Sequence, residues 1–303
     1  MARRRTPSTP ASGPASVPPP PPLTSFHESP LGPLRTDVWT AGETSQERLR
    51  ALAVGAWYAA EAGAPHDRLD LAVTAPDPDG ASPRREEALD SLTGSWGVTS
   101  EEEALATVAR LHAGMHDDLY CLVQPLVAQA LATDVRRPGR QVEGPEAEHR
   151  EMLRHLASLR GLPSVDAHVR WYDAWLQAQR MGLTARLPAR MPPDVRAWDL
   201  ARAASVVRTG VTAGLLGEEM AWDQLTRGLD RAREHYGTWR QFSLAFLAGY
   251  AFWQSFTDLS VLRRGLDLRL NTVQRLLDRP ASPWRRVALH EGAPVNRPSG
   301  PPG

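Results

Sequence analysis

The sequence predicts an all-α protein: a single multi-helix globular domain around a buried aromatic helix, with disordered Pro-rich termini. Three observations predict it. Apolar residues recur three and four apart in one segment after another, the helical period, and nowhere do several period-two runs of β-branched residues occur. The third is the stretch from Thr238 to Phe256, T-W-R-Q-F-S-L-A-F-L-A-G-Y-A-F-W-Q-S-F, the most apolar and ring-rich of the chain. In it Trp239, Phe242, Phe246, Tyr250 and Trp253 share one face, while Leu244, Leu247, Ala248 and Ala251 occupy the others, so this helix belongs in the middle of a fold. Thr238 is placed to cap it, with Gln241 reaching back, and Gly249 marks where a neighbouring helix comes closest.

The remaining elements follow in order. Residues 1–44 hold R-R-R and the run Pro18 to Pro22, too little apolar surface to offset chain entropy, so a disordered tail is expected there and again over 291–303. The all-α domain spans 45–290. Its first stripe, Leu49, Leu52, Ala53, Ala56, Trp57 and Ala60, reads as one helix ending at Gly63 and Pro65; residues 64–82 read as a loop, and a short helix as Arg84 to Leu92. S-W-G-V-T-S-E-E-E-A-L carries a cap at Thr99 or Ser100 and an acidic first turn, opening a helix to about Ala113 that Gly114 breaks. Asp117 to Ala132 is the next, with Pro125 as an expected kink. Glu146 to Arg160 reads as an exposed helix resting on Met152, Leu153, Leu156 and Leu159, and the next from Ser164 on Val165, Val169, Tyr172, Leu176 and Leu183. After L-P-A-R-M-P-P-D, with Asp194 as the expected cap, come helices from about Val195 to Ala213, Glu218 to Tyr236, the aromatic helix, and Leu259 to Arg279.

Composition excludes several kinds of chemistry. Charge balances at 35 basic against 35 acidic residues, so no global field draws the chain to nucleic acid or membrane. Every basic residue outside His is Arg, a bias GC-rich coding produces; the absence of Lys removes a P-loop, a Schiff base or a Ser-Lys pair. The lone Cys121 forbids an intrachain disulfide and, with no apolar leader after M-A-R-R-R, makes the cytoplasm the expected location. The aromatic helix is too short and too polar at Ser243, Gln254 and Ser255 to be a membrane span.

Among polar residues Asp199 is the most informative, because the helical period aims its carboxylate into an apolar arc, where it must be paired. Arg202, one turn on, is the nearest expected partner, with a core indole N–H as the alternative; Arg208 points the other way. Glu219, Asp223, Asp230 and Glu234 alternate with Arg227 and Arg231 as a solvated face, opposite a stripe of Trp222, Leu225, Leu229, Ala232 and Tyr236. His112 and His116 have zinc-like spacing but Gly114 between them and no further ligand, so no metal site is expected, and Glu148, Glu151 and His155 read as an exposed patch. The Arg-rich stretch from Arg263 to Arg286 is interrupted by Asp267 and Asp278 and lacks a nucleic-acid motif. No cofactor is implied, and no residue is identified as catalytic, since G-x-S-x-G, H-E-x-x-H and Gly-rich phosphate loops are missing.

W-D-L-A-R-A at Trp198 to Ala203, Arg208 with Gly210, G-L-L-G-E-E-M-A-W to Trp222, Y-G-T-W-R-Q-F and A-G-Y-A-F-W together resemble the bacterial domain of unknown function 1266 family. S-W-G-V-T-S-E-E-E-A-L and the following A-G-M-H resemble its N-terminal portion, so the likeness covers about Leu52 to Leu289. Gly217, where a side-chain cap is usual, and Met115, where Gly is expected, depart from that pattern. The resemblance implies domain boundaries and no activity. The residues carrying it are aromatic, glycine and ion-pair positions rather than nucleophiles, so the leading expectation is a non-catalytic binding or protein-interaction module. The alternative is an enzyme or small-molecule binder whose pocket gathers Asp199, Arg202, Arg208 and Glu219 beside Trp222.

Overall fold

The computed structural model describes residues 35–40, 44–71, 83–136, 144–162 and 164–292. The expected tails at 1–34 and 293–303, and the loop over 72–82, lie outside the described residues. Twelve helices and no strand occur among those described. They are α1 (Gln46–Val54), α2 (Ala56–Glu61), α3 (Pro83–Trp96), α4 (Glu101–His112), α5 (Asp117–Arg136), α6 (Glu146–Leu159), α7 (Ala167–Arg180), α8 (Arg196–Thr212), α9 (Glu218–His235), α10 (Trp239–Thr257), α11 (Leu259–Asp278) and α12 (Pro283–Arg286).

The aromatic helix is α10, and it is buried on nearly every face from Trp239 to Ser255. Thr238 Oγ1 accepts from the N–H of Gln241 at 3.2 Å, and Gln241 Oε1 accepts from the N–H of Gly237 at 2.7 Å, so one donor of the first turn and the N–H just before the cap are satisfied reciprocally. A second central helix, α8, packs against it and is itself covered by α3, α4 and α9, while α11 and α7 flank α10. The two axes approach at Gly249, where an added Cβ would stand 2.4 Å from Trp198 Cβ and 3.1 Å from Val195 Cβ. Among the described residues no helix is long and apolar enough to cross a membrane.

Local departures from the sequence pattern have physical causes. The first stripe is two helices, because α8 presses into the chain at Gly55; a Cβ there would meet Ala204 Cβ at 3.0 Å. Residues 35–40 already pack: Trp39 Nε1 donates to Ala281 O at 2.8 Å and the Thr40 N–H to Asp67 at 2.8 Å. The third helix continues past Leu92 to Trp96, and α5 runs unbroken through Pro125. On α6 the buried face is His149, Leu153 and Ala157, whereas Leu159 is 70% exposed and Met152 is exposed as well. His149 belongs inside because its ring reaches the Tyr172 hydroxyl of α7 at 3.0 Å and Gln129 of α5 at 3.2 Å. Val165, expected on the buried stripe of α7, is also exposed. Asp194 does not cap α8: Val195 stands at that position and Asp194 instead accepts the Tyr236 hydroxyl.

Candidate functional site

Almost the whole circumference of α8 is buried, so its one carboxylate cannot avoid the interior; Asp199 is 0% exposed. Both oxygens are used by one residue. Oδ2 accepts the backbone N–H of His116 and Oδ1 faces His116 Nδ1, each at 2.8 Å. A carboxylate accepts only, so Nδ1 carries the proton in this contact. Arg202, the partner expected from helical spacing, comes second, with NH1 4.0 Å from Oδ1.

The chain turn that delivers His116 is made by Gly114, whose φ of +88° a side-chain-bearing residue adopts only with strain. It also separates the two histidines. His116 turns to α8, whereas His112 ends α4 against Gly228 of α9, where an added Cβ would lie 3.3 Å from His112 Nε2. Among the described residues no three His, Cys, Asp or Glu side chains are grouped to hold a metal. Next to His116, Asp117 accepts the Val195 N–H and an Arg196 guanidinium N–H, both at 2.8 Å, tying α5 to the start of α8. Cys121 sits one turn along with its thiol against Asp117 and the Pro193 carbonyl. Burial, helped by Asp117, pushes that thiol up to about 11, the opposite of what a nucleophile requires.

The five residues proposed from sequence divide three ways. Asp199 and Arg202 are together. Arg208 is 2% exposed and donates to the carbonyls of Pro65 at 2.6 Å and Leu69 at 3.2 Å, so it clamps the 64–71 loop to α8; burial lowers its guanidinium to about 10. Glu219 is exposed on α9, and Trp222 is half-buried, donating to Glu218 and lying under Arg48 at 4.5 Å.

What sequence reasoning missed is the set of rings around the first pair. Arg202 lies 4.4 Å over Trp96 of α3 and 5.3 Å over Trp198, and burial lowers its guanidinium. His116 meets the edge of Trp171 at 6.1 Å, and Trp171 stacks on Phe256 at 4.2 Å and 7°. Phe256 is 37% exposed and Met115, beside His116, is 45% exposed. Trp171 is half-buried on α7, and nothing in the one-dimensional pattern pairs α7 with the end of α10. A separate cleft of about 490 Å³ lies between Gln46, Glu47, Arg50, Arg233, His290 and Glu291. Within it Glu47 is paired with both Arg50 and Arg233, and it holds none of the residues around Asp199.

No curated protein and no solved structure matches the chain. Residues 91–289 match the family described as "Protein of unknown function (DUF1266)", a span beginning later than the likeness from Leu52 and ending at the same Leu289, and the chain belongs to that family.

Proposed function

We propose that this is a non-catalytic binding protein that recognises another protein through the face formed by Met115, Trp171 and Phe256. The observation that carries the reading is the stacked Trp171–Phe256 pair, which leaves Phe256 partly open to solvent at the end of an otherwise enclosed helix. A large aromatic side chain left exposed and held rigid by a second ring is the kind of anchor that dominates protein interfaces. Met115, exposed and adjacent in sequence to His116, whose ring meets Trp171, adds an adaptable apolar group. The Asp199–His116 contacts then serve recognition indirectly, by fixing the turn that presents Met115. A catalytic use of the same dyad is less favoured, because Cys121, the nearest thiol, is held protonated and engaged with Asp117.

The test is affinity capture with the full chain from cells that make it, comparing the parent protein with Phe256→Asp and Met115→Asp. Met115 is exposed, so Met115→Asp should leave thermal unfolding unchanged; Phe256→Asp also removes the ring stacked on Trp171, so its melting temperature should fall, and its capture is compared at a temperature where it remains folded. A partner retained in stoichiometric amount by the parent and reduced at least tenfold by Phe256→Asp supports the reading; a partner held equally by both variants, or none at all, overturns it.

A further inference from the structure

The cleft between the start of α1, the last turn of α9 and the segment after α12 has a volume of about 490 Å³, within the roughly 300–1,000 Å³ of small-molecule sites. Its charged walls are held in place. Arg50 Nε donates to the Ala288 carbonyl at 3.2 Å and Arg233 Nε to the Leu289 carbonyl at 3.0 Å, so both guanidiniums are pinned to the segment that carries His290 and Glu291. Glu47 draws their other ends together, its Oε2 accepting from Arg50 Nη1 and from Arg233 Nη2, each at 3.0 Å. The Arg233 hydrogen bond above all keeps the Glu47 carboxyl below its ordinary range, so Glu47 is a committed wall of the cleft.

This knot leaves groups of opposite sign unspent. The Arg50 side chain is only 12% exposed, yet its Nη2 has no acceptor among the described residues. His290 Nε2 lies 2.8 Å from the Tyr236 carbonyl, which only accepts, so the proton sits on Nε2 and Nδ1 is left as an acceptor, without a partner among the described residues. Glu291, one residue on, is exposed and makes no hydrogen bond or ion pair among the described residues; it acts on Arg233 only at Coulombic range. Within the lining Glu47 and Glu291 balance Arg50 and Arg233, so the cleft has no net charge to draw a simple anion or cation, but it has a donor end and an acceptor end.

We propose that this cleft binds a small zwitterion of the amino-acid or short-peptide kind, with Arg50 Nη2 meeting its carboxylate and Glu291 together with His290 Nδ1 meeting its ammonium. A guanidinium makes charge-assisted bonds to a carboxylate, and an ammonium carries three donors and no acceptor, which suits two neighbouring acceptors. Gln46 and Glu47, the first two residues of α1, bring the positive end of that helix to the cleft, and it favours the carboxylate at the α1 side. The site shares no residue with the Met115–Trp171–Phe256 face, so the failure of that face to hold a partner leaves it standing.

The experiment is calorimetric titration of the full chain with L-alanine and with alanyl-alanine, acetate and methylammonium serving as the single-charge probes. Saturable binding of at least one zwitterion, about tenfold or more tighter than either single-charge probe, is expected. Glu291→Gln should weaken it about tenfold without lowering the melting temperature, because that side chain is exposed; Glu102→Gln, exposed on α4, should change neither. Arg50→Gln should weaken binding as much, and if it fails to fold, because Arg50 also holds Ala288, Glu291→Gln decides. The preferred zwitterion tells a free amino acid from a peptide as the source. Absence of saturable binding by both zwitterions, equally tight binding of acetate or methylammonium, undiminished affinity in Glu291→Gln or in folded Arg50→Gln, or an equal loss in Glu102→Gln would overturn the proposal.

Discussion

At Asp199 the helical period and the cost of an unpaired buried carboxylate suffice to say that the residue is inside and bonded. They do not say to what. The partner is His116, 83 positions away, delivered by a turn at Gly114 that periodicity does not describe. Spacing along one helix could only nominate Arg202, which lies at 4.0 Å while the histidine lies at 2.8 Å. Removing the carboxylate therefore strands two groups of His116 at once. Asp199→Ala should cost about 3–5 kcal/mol, whereas Asp199→Asn, which still accepts the backbone N–H, should cost about half as much. Urea denaturation midpoints measure both. A loss under about 1 kcal/mol in the alanine variant would mean that the pair is not what holds this turn, and that the carboxylate is kept for something else.

Helices were legible wherever one apolar face met one solvent, and less so where a neighbour intervened. The stripe of α9 at Leu225, Leu229 and Ala232 lies where the sequence places it. The split between α1 and α2 was not legible, since its cause is Ala204 of α8 pressing on Gly55. The buried face of α6 was misread because its first residue, His149, is polar and looks solvated until Tyr172 and Gln129 are seen beside it. Gly249 was legible as a point of close approach, and the contact there is Cβ against Cβ. Gly249→Ala must push α8 away from α10 and should cost on the order of 3 kcal/mol. Gly210→Ala meets Leu216 Cδ1 at 2.8 Å, the far end of a flexible side chain, and should cost about 1 kcal/mol or less after a rotamer change. Thermal unfolding of the two variants side by side checks this; a Gly210→Ala loss as large as that of Gly249→Ala would refute the helix-contact explanation.

Across the whole molecule, the first and last of the described helices, α1 and α12, close on each other. Trp284 Nε1 of α12 donates to Ala53 O of α1 at 2.8 Å, Trp284 stacks on Trp239 at 5.7 Å and 9°, and Arg50 Nε donates to Ala288 O at 3.2 Å. The family match begins only at residue 91, which leaves α1, α2 and the first part of α3 outside it. Packing assigns those residues to the same core. Leu52 and Trp57 are each 1% exposed, Trp57 lies against Phe246 of α10, and α1 and α2 cover α9 and α8. A fragment of residues 91–303 would therefore expose the aromatic faces of α8 and α10 and lose the acceptor of the Trp284 indole. Burying side chains of this size contributes roughly 2–3 kcal/mol each, comparable in sum to the entire stability of a domain. Far-UV circular dichroism and dye binding should find the fragment aggregated or without a cooperative melt, whereas residues 35–303 should unfold in one transition. A fragment from residue 91 that melts cooperatively near the temperature of the longer chain would show that the family match marks an autonomous unit and that α1 and α2 are an appendage to it.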